Sequence, residues 1–264
     1  MTKITIRDIL AKKSTEKIIS LTAYTYPVAK AIDEHCDMVL VGDSLGMTIY
    51  GLKDTVDVTI GMMIDHGRAV VKACNHSLVV VDIPAGTFED SPEQALASAR
   101  EIYEKTGCDA VKIETSEEQI AAIQLIAQNN IPIMAHVGLL PQKVRELGSY
   151  SYQGKDQDSA AQILDIAIRS QQAGAFAIVI EATPVSLANK ITTTLSIPTI
   201  GIGASKDCDG QILVIDDMIG LNQEFTPKFV KKYGSTAEYI TDCAKNYAND
   251  IKYGTFPGKE NLVD

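Results

Sequence analysis

The feature that most restricts the fold is a rhythm of short apolar runs. IISLTAY, MVLVGD, LVVVDIP, AVKIE, IPIMAHV, FAIVIE, PTIGIG and QILVID recur along the chain, separated by amphipathic stretches. The runs are rich in Val and Ile and apolar at consecutive positions. They describe parallel strands buried on both faces rather than antiparallel strands with one wet face. The intervening periodicity predicts helices over 26–36, 60–75, 91–106, 116–129, 157–173 and 184–195. Ser91-Pro92-Glu93 supplies a cap residue followed by Pro at the first helical position, and Gly107 and Gly174 fall just past helix ends, where a left-handed turn is wanted. Eight βα units favour a closed (β/α)8 TIM barrel, of the α/β class, over an open doubly wound sheet. A length of 264 residues suits one such barrel and no linker divides the chain, so residues 1–264 are expected to form a single catalytic domain.

The bulk properties exclude some partners. A formal net charge of -10 leaves no basis for general affinity to nucleic acid or an anionic membrane, which need a positive surface to replace their counterions. The five cysteines, Cys36, Cys74, Cys108, Cys208 and Cys243, are scattered without a CxxC pair, and so read as reduced thiols with no zinc-ligand spacing. The opening MTKITIRDILAKK has neither the apolar block of a signal peptide nor the Arg/Ser-rich composition of a transit peptide, and nowhere do eighteen apolar residues run together. The expectation is a cytoplasmic protein.

Asp43, Asp82, Glu114, His136 and Glu181 each fall at or near the C-terminal end of a separate predicted strand, which in a barrel brings them to one mouth. In VKIE, strand alternation puts Lys112 and Glu114 on one side and Val111 and Ile113 on the other; with the apolar pair against helices, the charged pair faces the barrel axis. Asp43 and Asp82 close apolar strands as carboxylates that are expensive to leave unpaired. Their partner is either a hard divalent cation or a cationic side chain such as Lys112. Glu114 adds a third acid against one lysine and so favours the cation, acting through a bound water, because Mg2+ takes only one or two carboxylates directly. Lys112 has three candidate roles: counter-ion, ligand for a substrate carboxylate, or Schiff-base nucleophile. The last conflicts with neighbouring acids that hold a lysine protonated. His136 either hydrogen-bonds a substrate oxygen or is satisfied by backbone, whereas His35, His66 and His76 lie on helices or their flanks and read as structural. Glu181 is the candidate general base, with a structural salt bridge as its alternative. GIGAS at 201–205 lacks the Lys-Ser/Thr of a phosphate loop and does not match GxGxxG, so it reads as a tight turn.

TAYTYPVAK at 22, VGDSLGMTIYG at 41, DIP at 82, VKIE at 111, HVGLLPQ at 136, Glu181, GIGASKDCDGQILV at 201 and FPGKE at 256 together resemble the ketopantoate hydroxymethyltransferase family almost end to end. The resemblance implies a Mg2+-dependent barrel that transfers a one-carbon unit from 5,10-methylenetetrahydrofolate to 3-methyl-2-oxobutanoate, giving 2-dehydropantoate for pantothenate and coenzyme A synthesis. It implies Asp43 and Asp82 as direct metal ligands with Glu114 close to the metal through water. It further implies Ser44, Asp43, Asp82, Lys112 and His136 around the oxo acid, and Glu181 as the base. A homo-oligomer, typically a decamer of stacked pentamers, is also implied; no folate-contacting residue is assigned. The chain departs from the family pattern at Ala85-Gly86 after Pro84, at Thr115 after Glu114, at Leu140 before Pro141 and at Ser205, all in mouth loops that shape the substrate pockets. Two other readings stand beside this one. The first is a Mg2+-dependent lyase or mutase of the isocitrate lyase and phosphoenolpyruvate mutase type, against which the chain has no KKCGH-like loop. The second is a non-catalytic oxo-acid-binding barrel, against which the complete charged set speaks.

Overall fold

The apolar runs become eight strands: β1 (Ile18–Thr22), β2 (Met38–Val41), β3 (Leu78–Asp82), β4 (Ala110–Glu114), β5 (Ile133–Gly138), β6 (Ala177–Glu181), β7 (Thr199–Ile202) and β8 (Gly210–Leu213). They pair in parallel and in sequence order, and β8 pairs with β1 to close the barrel. The expected (β/α)8 barrel is therefore the observed architecture. It is seen in a computed structural model that describes residues 2–223 and 226–263. Two compact units are present, Met1–Val214 and Ile215–Asp264, and the first holds the whole barrel.

Strand alternation divides the apolar residues as their periodicity requires. Met38, Leu40, Leu78, Val80, Met134, Val179 and Ile212 fill the barrel interior. Val39, Val79, Val81, Val111, Ile113, Ile178 and Ile180 face the other way and are equally buried, against the helical layer. That layer contains α2 (Tyr26–Ile32), α4 (Ile60–Ala73), α5 (Pro92–Thr106), α6 (Ile120–Gln128), α8 (Gln157–Gln172) and α9 (Val185–Thr194); α1 (Ile6–Ala11) instead packs Ile9 against the barrel interior, and the short helices α3 (Leu45–Thr48) and α7 (Val144–Leu147) lie in the loops after β2 and β5. The caps read from sequence are present: Ser91 Oγ accepts the Gln94 N–H at 3.1 Å, and Gly107 turns left-handed at φ 71°.

Three differences from expectation have physical causes. The helices foreseen at 26–36 and 116–129 are shorter, because Asp33–His35 and Glu117–Gln119 tighten into 3-10 turns at their ends. α1 was not foreseen; at six residues, with only Ile9 buried, it is too short to show a period. The seventh βα unit has no helix, since only residues 203–209 separate β7 from β8. GIGAS supplies the tight path there: Gly203 has φ 57°, and a Cβ on Gly201 would lie 3.1 Å from Cys208 Sγ.

Buried carboxylates fasten the amino-terminal ends of the strands. Asp33 accepts the N–H groups of Asn75 at 2.7 Å and Ser77 at 2.9 Å, and Asp37 that of Ile19 at 2.8 Å. Asp209 accepts the Thr199 N–H at 2.8 Å and pairs with Lys13 at 2.8 Å. These acids are saturated with donors, as structural carboxylates should be.

In the second unit, α10 (Ile215–Met218) is followed by α11 (Thr236–Tyr253), which buries none of its residues and ends on Gly254 at φ 68°. The sequence reading did not foresee α11. No helix among the described residues is long and apolar enough to cross a membrane. The five cysteines are free, four buried and Cys243 exposed.

Candidate active site

Strand register arranges the polar residues of the mouth as a staircase. Asp82 of β3 lies opposite Lys112 of β4; two residues further along β4, Glu114 lies opposite His136 of β5; two residues further along β5, Gly138 lies opposite Glu181 of β6. All these positions have interior parity, so each strand of the sequence adds its group one step nearer the opening. Asp43 stands two residues beyond the end of β2, and its N–H donates to Asp82 Oδ2 at 3.0 Å. Ser44 joins the site through its Oγ, 2.7 Å from the hydroxyl of buried Tyr24. The structure thus brings Asp43, Ser44, Asp82, Lys112, Glu114, His136 and Glu181 to one end of the barrel, where the sequence placed them.

A chain of polar contacts runs along the staircase. Lys112 Nζ is 2.8 Å from Asp82 Oδ1 and 3.4 Å from His136 Nδ1, and His136 Nε2 is 3.2 Å from Glu181 Oε2. An ammonium can only donate, so Nδ1 accepts and the imidazole proton belongs on Nε2, facing Glu181. Asp82 Oδ1 and His136 Nε2 are nonetheless buried without an aligned hydrogen-bond partner among the described residues. They sit within ionic reach of a neighbour but remain unsatisfied in direction, as groups awaiting a ligand would.

The electrostatics separate this end from the other. At the amino-terminal end, burial opposes the charge of Asp33, but the Ser77, Asn75 and His76 N–H groups overcome it and hold the carboxyl below its ordinary range. At the mouth the balance reverses. Burial, then the charge of Asp82, pushes Asp43 up to about 7 despite Lys112 and Gln142. Burial and the charge of Asp43 push Glu114 well above the usual carboxylate range. Lys112 is itself buried, but the carboxylates of Asp82 and Asp43 outweigh desolvation and keep it firmly protonated, which argues against a Schiff-base role. Burial and the Lys112 charge lower His136, keeping its imidazole neutral.

The donor set suits a hard divalent cation. Three crowded carboxyls face one ammonium, and Asp82 Oδ1 lacks an aligned donor. Among the described residues no group of three or more His, Cys, Asp or Glu side chains is placed to hold a metal ion. An ion that takes two carboxylates and keeps water in its other positions, as Mg2+ does, matches the chemistry of the Asp43 and Asp82 pair. Asp43 and Asp82 would hold it, with Glu114 beyond a water.

Sequence reasoning missed two residues. Tyr24, within TAYTYPVAK, holds Ser44; its only signal was its place in that motif. Gln142, within HVGLLPQ, donates its side-chain amide to Asp43 Oδ2 at 2.7 Å. A neutral glutamine carries no charge pattern that would single it out. The unusual mouth-loop residues are largely engaged in loop structure: Thr115 Oγ1 donates to the Ile113 carbonyl at 3.1 Å, Ser205 Oγ accepts the Asp207 N–H at 3.1 Å, and the Gly86 N–H binds Glu89 at 2.9 Å.

The family profile of ketopantoate hydroxymethyltransferase matches residues 3–259. The chain belongs to this family. A 3-methyl-2-oxobutanoate hydroxymethyltransferase of Brucella canis is 46% identical over 260 residues, spanning 98% of this chain and 94% of the relative. One from Cereibacter sphaeroides is 48% identical over 255 residues, spanning 97% and 92%. Among solved structures, phosphonopyruvate hydrolase superposes with a TM-score of 0.64 at 13% identity, covering 100% of this chain and 92% of its own, and has also been solved in complex with oxalate and Mg2+. A 2,3-dimethylmalate lyase of the phosphoenolpyruvate mutase/isocitrate lyase superfamily superposes with a TM-score of 0.59 at 12% identity, covering 100% and 93%. At such identities these likenesses concern the barrel alone, whereas the ketopantoate hydroxymethyltransferase likeness extends through the sequence.

Proposed function

We infer that the protein is a 3-methyl-2-oxobutanoate hydroxymethyltransferase that uses Mg2+ and 5,10-methylenetetrahydrofolate to make 2-dehydropantoate. The observation that carries this reading is the contact line Asp82–Lys112–His136–Glu181 beside Asp43, in a chain of this family. We extend the reading to one catalytic domain over residues 1–264, a cytoplasmic location, and a homo-oligomer, a decamer by family likeness.

Lys112 offers a fixed positive charge to the oxo acid, and Ser44, held by Tyr24, offers a hydroxyl. Mg2+ on Asp43 and Asp82 would supply positive charge where the keto oxygen becomes negative. Glu181 accepts the C3 proton; the C–H electron pair moves into the C2–C3 bond and onto the keto oxygen. His136, neutral and with its buried Nε2 3.2 Å from Glu181 Oε2 but not aligned on it, offers that N–H to the oxo acid beside the base. Water adds to the one-carbon unit, which leaves both folate nitrogens as formaldehyde and frees tetrahydrofolate; C3 attacks the formaldehyde carbon, the C=O pair moves onto oxygen, and the alkoxide takes up the proton held by Glu181 to become the new hydroxyl.

Incubation with 3-methyl-2-oxobutanoate and Mg2+ in D2O should exchange the C3 proton, and 2-dehydropantoate should form once 5,10-methylenetetrahydrofolate is added. Binding of the oxo acid with neither exchange nor product would establish a non-catalytic barrel instead. Turnover of isocitrate or phosphonopyruvate would establish the lyase or mutase reading. Asp43→Asn and Asp82→Asn should each lose Mg2+ affinity in calorimetry; wild-type affinity in both would remove the ligand assignment.

A further inference from the structure

We propose that Gln142 is a positioning residue of the reaction, whose side-chain amide aims the Asp43 carboxylate while its main-chain N–H holds Glu114. Gln142 lies in the loop after β5 and is only 8% exposed. Its Nε2 donates to Asp43 Oδ2 at 2.7 Å and to the Ile83 carbonyl at 3.0 Å, and its main-chain N–H donates to Glu114 Oε1 and Oε2 at 3.1 and 3.2 Å. A single residue thereby ties the mouth ends of β2, β3 and β4. Both neighbours of the amide nitrogen are acceptors, so only the NH2 end can face them and the orientation of the amide follows from the hydrogen bonding. The main-chain carbonyl of Ile83 is a rigid anchor; engaging one amide hydrogen there directs the other at Asp43.

The opposite end of the amide points to a ligand. Gln142 Oε1 is buried with no hydrogen-bond partner among the described residues. An acceptor in that position is suited to a donor that the protein itself does not supply, and a cation-bound water has the required chemistry. The segment carrying Gln142 is also fastened from outside: Arg145 forms ion pairs with Asp54 at 2.9 Å and with Asp57, both in the loop between α3 and α4. A glutamine that merely filled space would need neither the anchor nor the strap.

The proposal rests on the reading of Asp43 as a cation ligand, and two substitutions test it. Gln142→Met keeps the volume and the main-chain donor but removes the NH2 group. Gln142→Asn keeps an amide one methylene too short to reach both acceptors. Each purified variant is titrated with Mg2+ alone by calorimetry, its Tm is measured, and kcat and KM are determined over a range of Mg2+. We expect folded variants with Mg2+ dissociation constants raised about 10–100-fold, the usual effect of removing a group that orients a metal ligand. The activity deficit should shrink as Mg2+ is raised, a rescue that a purely structural role would not show. A folded variant with wild-type Mg2+ affinity, or a deficit unmoved by Mg2+, would overturn the proposal. If only one variant folds, that variant decides; failure of both to fold would also overturn it, by making Gln142 a packing residue. Asp43→Asn in parallel distinguishes the two ideas: undiminished Mg2+ affinity there would defeat the cation reading itself.

Discussion

The carboxylates at the two ends of the barrel are chemically alike and energetically opposite. Asp33 and Asp209 collect donors and lie below their ordinary range, whereas Asp43 and Glu114 are desolvated and crowded, and lie above it. The sign of the resulting pH dependence follows. Below about 4 Asp43 is protonated in both folded and unfolded chains; as pH rises towards about 7 only the unfolded chain releases the proton, so this residue's contribution to stability falls across that window. Asp43→Asn abolishes the effect. In chelator, the Tm of the variant minus that of wild type should therefore grow between about pH 4 and pH 7, and a flat difference would contradict the assignment. Glu181→Gln should retain oxo-acid binding and lose C3 deuterium exchange by about 10²–10⁴-fold, the contribution expected of a general base. Unchanged exchange would place the base elsewhere. The charged residues of the site were legible because an acid or lysine on an apolar strand has no cheap structural excuse. Gln142 and Tyr24 were not, because neutral hydrogen-bonding groups acquire meaning only through neighbours distant in sequence.

Among elements, the β5–β6 edge constrains the site most tightly. Gly138 has φ 97°, and a Cβ there would come 2.2 Å from the Glu181 carbonyl oxygen and 2.8 Å from Thr183 Cγ2. The close approach lets the Leu139 N–H bond that same carbonyl at 2.9 Å and so fixes the backbone beneath the proposed base. Gly138→Ala should destabilise the protein by at least about 2 kcal/mol in denaturant unfolding, from left-handed strain and the clash together. Its residual activity should be lower than that of an equally destabilised variant far from the mouth; equal activity would show that the edge does not position Glu181. The central strands were readable because they are apolar runs buried on both faces, as in MVLV and LVVV, whereas β1 and β8 leave Ile19 and Gln211 exposed. The β7–β8 link was legible in part: GIGAS reads as a tight turn with no helix predicted beside it, although a count of eight βα units implies a helix there. α11 is illegible for another reason: it buries none of its residues, so no βα pattern announces it.

At the scale of the whole molecule, closure of the sheet converts eight local patterns into one mouth, and that step could be argued from sequence only by counting. Parallel register then sets heights as well as neighbours. Lys112 lies deep, 7% exposed at its side chain, while Glu181, two steps up the staircase, is 18% exposed. On the proposed function, an oxo acid whose carboxylate pairs with buried Lys112 would turn its reactive carbon toward the more exposed Glu181, and the folate would bind above it. Calorimetry should therefore show 5,10-methylenetetrahydrofolate binding far more tightly once the oxo acid is in place, and initial rates should fit compulsory addition in that order, whereas equal folate affinity with and without the acid would show that traffic through the mouth is unregulated by depth.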